Sequence, residues 1–162
     1  QKLGFEVTGN VGDYGVVGIY KNGQGPTVMI RTDTDGLPIT EQTGKTYAST
    51  ITTINDQGSE VGVMHGCGHD IHMSSFIGTA QQLMTHKDQW QGTLMMVAQP
   101  AEEVGGGAKA MLKEGLFIQA PIFDRVMNRF SNNTTLFIVG YRGGKFYCFF
   151  QNCIICDYFH RR

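Results

Sequence analysis

Ile71-His-Met-Ser-Ser-Phe-Ile-Gly-Thr-Ala-Gln-Gln-Leu-Met-Thr-His86, followed after a short polar gap by Thr93-Leu-Met-Met-Val-Ala98, is the passage on which the fold turns. In its first part Met73, Phe76, Ile77, Ala80, Leu83 and Met84 recur at helical spacing, with Ile71, Ser75, Gly78, Thr79 and Gln82 on another face, so an amphipathic helix is expected over 71–86. The second part is a short unbroken apolar run, the pattern of a strand buried on both faces. Upstream, residues 15–20 and 27–32 have strand composition, and the turn residues of Lys21-Asn-Gly-Gln-Gly-Pro26 between them predict a β-hairpin. Downstream, residues 106–114 read as a helix closed by Gly115. Alternating strands and helices predict layered α/β architecture.

The 162 residues have room for one domain, and a hydrophobic content of 41% is enough for a core. A formal net charge of -1 supplies no field for nucleic acid or an anionic membrane, and neither partner is expected. No apolar stretch approaches the roughly 20 residues that cross a bilayer. The first residues lack a charged, then apolar, leader. They already read as strand material without an initiator Met, so the chain is expected to start inside a longer protein. Cys67 stands alone and Cys148, Cys153 and Cys156 cluster late, a spacing unlike a secreted disulfide scaffold; a reducing compartment, the cytoplasm, is expected.

Composition changes sharply near Asp124. Residues 1–124 carry 7 basic and 13 acidic side chains, a net of -6, whereas 125–162 carry 6 and 1, a net of +5. The same last 38 residues hold 9 of the 17 aromatics. Two units are therefore expected: 1–124, and a divergent tail over 125–162 whose rings, among them Phe130, Phe137, Phe146, Phe149 and Phe150, pack poorly; a genuine aromatic C-terminal strand pair is the alternative.

Three clusters carry chemistry. Met64-His-Gly-Cys-Gly-His-Asp-Ile-His72 places three histidines, a cysteine and an acid just before and into a helix. A thiolate and an imidazole two residues apart, between glycines, can face one ion, and Asp70 can orient a ligating imidazole. A Gly-rich turn with surface histidines is the plainer alternative. Gln99-Pro-Ala-Glu-Glu103 ends the apolar strand, and adjacent carboxylates there point different ways, so one can bind an ion while the other moves a proton. A solvated pair opening the next helix has the same composition. Arg31-Thr-Asp-Thr-Asp-Gly-Leu-Pro38 puts Asp33 and Asp35 at the carboxyl end of another strand, where open α/β sheets bind ligands; an Asx turn is the alternative.

Taken together, Arg31 to Pro38, Met64 to His72 and Gln99 to Glu103 resemble the metal-dependent amidohydrolases that include hippurate hydrolases, N-acyl-amino-acid hydrolases and auxin-conjugate hydrolases. Glu41-Gln-Thr-Gly44, Trp90-Gln-Gly-Thr93 and Gly107-Ala-Lys-Ala-Met111 also resemble that family, so the likeness runs from the start to about Asp124. The resemblance implies a three-layer α/β/α fold with a mixed twisted sheet, as an incomplete catalytic domain. It implies a site for two divalent metal ions, zinc or manganese, with Cys67, His69 and Glu103 as ligands. Glu102 would be the general base, and Asp33, Asp35 and Asp70 supporting residues. His65 and His72 are left as structural or supporting. The implied substrate is a small N-acyl amino acid or similar conjugate, and complete members pair as homodimers.

The departures shape the last expectation. Where the family has a ligand histidine after Glu103, the offset lands on Phe130, and the inserted lid domain and the late ligand histidine have no counterpart. A frame shift or truncation would explain both the charge reversal and these absences, and the chain itself is then expected to hydrolyse little. A small metal-binding or interaction module built on the tail cysteines is the competing class.

Overall fold

Unbroken apolar character makes the run after Trp90 the centre of the sheet. The computed structural model describes residues 1–117 in full and, beyond them, the backbone strands Arg125–Arg129, Leu136–Arg142 and Lys145–Phe146. Strands β1 (Glu6–Val11), β2 (Gly15–Asn22), β3 (Thr27–Asp33), β6 (Gly92–Gln99), β7 (Arg125–Arg129), β8 (Leu136–Arg142) and β9 (Lys145–Phe146) form one sheet in the order β1-β2-β6-β3-β7-β8-β9. β4 (Thr52–Ile54) and β5 (Glu60–Gly62) make a separate small hairpin. The sheet is mixed: β3 runs parallel to β6 and to β7, while β2 is antiparallel to β6 and β8 to β7. The composition break at Asp124 thus falls immediately before a strand whose backbone pairs with β3. The side chains of Phe130, Phe137, Phe146, Phe149 and Phe150, and those of Cys148, Cys153 and Cys156, lie outside the described residues.

Residues 15–20 and 27–32 are strands, as read, but they are not hairpin partners. β6 lies between them, and the hairpin partner of β2 is β1. The turn-rich connector Lys21–Pro26 bridges the start of β6, a span of two strand spacings, roughly 10 Å, within reach of a few extended residues. It is tied there by the Thr93 N–H donating to the Pro26 carbonyl at 2.9 Å and by Asn22 Nδ2 donating to the carbonyls of Lys87 and Trp90, each at 2.6 Å. Gly92, at φ +123, sits where a Cβ would run into the Pro26 carbonyl, so the crossing requires glycine at that position.

Two helices cover the two faces. Along β6 the side chains alternate: Leu94 and Met96 face α1 (His69–Thr85), joining Ala80, Phe76, Leu83, Ile30, Tyr20 and Trp90. Met95 and Val97 face the other way, against Met111 and Leu112 of α2 (Gly107–Lys113) together with Val11, Val17, Met29 and Leu116. Met95 and Met29 are almost entirely buried, and truncating either to alanine would cost about 2–5 kcal/mol. This is the expected three-layer α/β/α arrangement.

The inward stripe of α1 is His69, His72, Phe76, Ala80 and Leu83. Ile77, read as part of the apolar face, is 52% exposed, because one residue beyond Phe76 the helix has turned about 100° away from the sheet. Imidazoles occupy the first turn of the buried stripe and hydrocarbon the rest.

Candidate metal centre

Because β3 and β6 are parallel and in register from Thr27↔Thr93 to Asp33↔Gln99, their carboxyl ends emerge side by side. α1 begins at the same edge, with Gly68 before it in the left-handed conformation. All three sequence clusters therefore meet at one place.

The β6 end turns abruptly. Ala101 has φ +50, a left-handed conformation costing a non-glycine residue roughly 1–2 kcal/mol, and its carbonyl accepts the Gly106 and Gly107 N–H groups at 3.1 and 3.2 Å. Gly107 packs against the Pro100 carbonyl so closely that no Cβ fits. This turn delivers Glu102 and Glu103 on one side of His69. The Glu103 N–H donates to Asp35 Oδ2 at 3.0 Å, which locks the β3 end to the β6 end.

His69 is buried, and its Nδ1 lies 2.9 Å from the Asp35 carbonyl oxygen. A carbonyl only accepts, so Nδ1 donates to it, and Nε2 is the ring nitrogen turned toward the carboxylates. Around Nε2 stand Glu103 Oε1 at 3.5 Å, Asp33 Oδ2 at 3.8 Å and Glu102 Oε2 at 3.9 Å. Asp35 Oδ1, also buried, accepts no hydrogen bond among the described residues, and His69 Nδ1, at 3.3 Å, is already committed to the carbonyl. One imidazole nitrogen and three carboxylate oxygens converging at 3.5–3.9 Å form a donor set that fits a divalent metal ion. One ligand atom each from His69, Glu102 and Glu103 lies within 4.8 Å of the others, a group that holds Glu102 where the sequence reading has Cys67.

Cys67 is exposed and bonded to no other cysteine. Its thiol donates to the Glu103 carboxylate, and that bond, with desolvation and the charges of Glu103, Glu102 and Asp35, pushes its pKa up to about 11. A bound metal ion would reverse this and hold the thiolate. Burial raises the pKa of Glu102 above the usual carboxylate range, reinforced by Asp33 and Glu103 and opposed by Arg31 and His69. The exposed side of the first turn of α1 holds Asp70, where negative charge is favourable; its carboxylate makes no hydrogen bond or ion pair among the described residues.

A second, deeper cluster was only half legible. Asp33 Oδ1 takes the His72 Nδ1–H at 2.7 Å, and Asp33 Oδ2 takes Arg31 Nη1–H at 3.1 Å, while Arg31 Nε donates to Gln99 Oε1 at 3.0 Å. All four residues are buried. Asp33, His69 and His72 also offer atoms within 4.8 Å of one another, but both Asp33 oxygens and His72 Nδ1 are already paired. The sequence signal for His72 was its position, three residues after His69 and four before Phe76, on the face of α1 that is buried.

Residues 29–151 match Peptidase family M20/M25/M40. The chain belongs to this family. As an M20/M25/M40 member it is 38% identical over 116 residues to the IAA-amino acid hydrolase ILR1-like 5 of Arabidopsis thaliana, covering 72% of this chain and 25% of that protein. It is 42% identical over 92 residues to the N-acetylcysteine deacetylase of Bacillus subtilis, covering 57% and 22%. Among solved structures it resembles the Bacillus subtilis YXEP protein, described as a dinuclear metal binding peptidase from the M20 family, with a TM-score of 0.60 and 36% identity over 71% of this chain and 30% of that one. The M20/M25/M40 chain thus spans about a quarter of the length of these curated relatives, and the family match extends past Asp124. No helix among the described residues is long and apolar enough to cross a membrane.

Proposed function

We propose that the site is the catalytic centre of a metal-dependent amidohydrolase acting on N-acyl amino acids or similar small conjugates. The observation that carries this reading is the convergence of three carboxylate oxygens on His69 Nε2 at 3.5–3.9 Å, with the exposed Cys67 thiol against Glu103. Cys67, His69 and Glu103 would hold the divalent metal, zinc or manganese, with two ions in a complete site. When bound, the ions supply Lewis-acid polarisation of the scissile carbonyl and make water acidic near neutral pH. Glu102, half-buried beside His69 and with a raised affinity for protons, would take a proton from the attacking water and pass it to the leaving amine. Asp35 holds both sides of the site through its backbone carbonyl and its carboxylate, Asp33 supports from below, and Asp70 adds its charge at the helix start. A reducing compartment such as the cytoplasm would keep Cys67 available as a ligand.

We assign residues 125–162, where the spacing of a ligand histidine lands on Phe130, to a divergent, frame-shifted segment. Reading the encoding DNA across codon 124 in all frames tests that assignment, and a Leu-His-Val segment restored in another frame is the expected result. The chain alone should turn over N-acetyl and N-benzoyl amino acids far more slowly than about 1 s⁻¹ with Zn²⁺ or Mn²⁺, since each lost positioning or charge-stabilising contribution costs roughly 10²-fold or more. Residual hydrolysis should vanish in Glu102→Gln. Turnover at 1 s⁻¹ or faster that depends on Glu102 would show the chain to be a complete catalyst.

A further inference from the structure

We propose that His72 acts as a positioning residue that keeps Asp33 out of the metal's ligand set. The inference rests on the metal-centre reading above and extends it to a residue outside the assigned ligands.

Asp33 is the most buried carboxylate at the site, 2% exposed, and its Oδ2 stands 3.8 Å from His69 Nε2, no farther than Glu102 Oε2 at 3.9 Å. By distance alone it has as good a claim on a cation held by His69 as Glu102 has. What separates the two is where their lone pairs are spent. Asp33 gives Oδ1 to the His72 N–H at 2.7 Å and Oδ2 to Arg31 at 3.1 Å, and Arg31 is itself braced on Gln99 across the β3–β6 pair. Among the described residues Glu102 has no such donors. His72 can supply its N–H in that direction because it lies on the buried stripe of α1 one turn below His69, with the two rings stacked at 5.6 Å and 27°. If its N–H were removed, Asp33 Oδ1 would lack a donor and the carboxylate would be held by Arg31 alone through Oδ2, so a small rotation toward the neighbouring cation would be the cheapest way to satisfy it. In this reading His72 and Arg31 together reserve the ion for His69, Glu103 and Cys67.

Co²⁺ titration of the purified chain tests this without relying on turnover. The near-ultraviolet thiolate-to-metal band reports Cys67, and the visible ligand-field bands report coordination number and geometry. The wild-type chain is expected to show the thiolate band with the intense visible absorption of a low-coordinate site. His72→Phe, which keeps a ring on the stack and removes the donor, should keep the thiolate band but lose visible intensity several-fold as Asp33 joins the ligands. Adding Asp33→Asn to His72→Phe should restore the wild-type spectrum. His72→Asn, whose amide can supply an N–H near the same point, should resemble wild type. Asp33→Asn alone should leave the spectrum unchanged, which keeps the idea open to refutation even if His72→Phe does not fold. An unchanged visible spectrum in His72→Phe, or a lost ligand in Asp33→Asn, overturns the inference while leaving the metal centre standing. Absence of the thiolate band in the wild-type chain overturns the metal-centre reading and this inference with it.

Discussion

Arg31, Asp33, His72 and Gln99 form a closed polar cluster beneath the sheet edge, and Cys67, Glu102 and Glu103 form an open one above it, with His69 between them. In the lower cluster both Asp33 oxygens have a donor, and the one guanidinium there has a counter-ion. In the upper cluster the Glu102 and Glu103 carboxylates share one imidazole nitrogen at 3.9 and 3.5 Å, and the one exposed thiol donates to a carboxylate. The same residue types serve opposite ends: a carboxylate with its donors supplied holds a structure together, and a carboxylate without them is available to an ion. Burial alone does not separate the two, because His69 and Asp33 are equally deep.

That contrast makes Asp33→Ala the most damaging change in either cluster. It takes the carboxylate away from the buried Arg31 guanidinium, which keeps its bond to Gln99, and from the buried His72 N–H, and about 3–5 kcal/mol should be lost in urea unfolding of the metal-free chain. A loss below about 1 kcal/mol would mean that the lower cluster is not closed. In the upper cluster the effect should depend on metal. Zn²⁺ at one hundred times its dissociation constant should raise the unfolding free energy by about 2.7 kcal/mol, and Glu103→Ala should abolish that gain. Equal stabilisation by Zn²⁺ in the two proteins would remove Glu103 from the ligand set.

Cys67 offers a smaller test of the same contrast. With its pKa near 11 the metal-free thiol should react with iodoacetamide at pH 8 roughly tenfold more slowly than an ordinary exposed cysteine, the scarcity of thiolate being partly offset by its greater nucleophilicity. Glu103→Gln should recover most of the difference. The weakest effect is on the pH dependence of stability. The Glu102 pKa is raised on folding, so the folded chain binds the proton more tightly than the unfolded chain does. Stability of the metal-free protein should therefore fall as pH rises from the unfolded value near 4.5 through the raised folded value, and Glu102→Gln should flatten that slope. A slope that steepens in the variant would assign the wrong sign to Glu102.

Helix α1, the central strand β6 and helix α2 were legible because each is announced by local periodicity or by an unbroken apolar run, and both signals survive any tertiary arrangement. Pairing was not. The connector Lys21–Pro26 has the residues of a hairpin turn, yet turn chemistry specifies only that the chain reverses, and the stronger demand came from β6, apolar on both faces and needing a strand on each side. Asp70 is adjacent in sequence to the imidazole it was expected to orient, but on a helix the next residue points about 100° away, whereas Asp33 and Asp35 reach that imidazole from another strand.

Residue type and spacing were enough by themselves to place Cys67, His69, Glu102 and Glu103 among the chemistry-bearing positions, because thiol, imidazole and paired carboxylates in Gly-rich turns have few other uses together. Only the tertiary structure decided which acids are spent on structure and which remain open. That choice depends on whether a buried donor such as His72 or Arg31 stands within about 3 Å of each oxygen, and such distances between residues 39 or 68 apart in the chain are created by the parallel register of β3 and β6 and the seating of α1 against them.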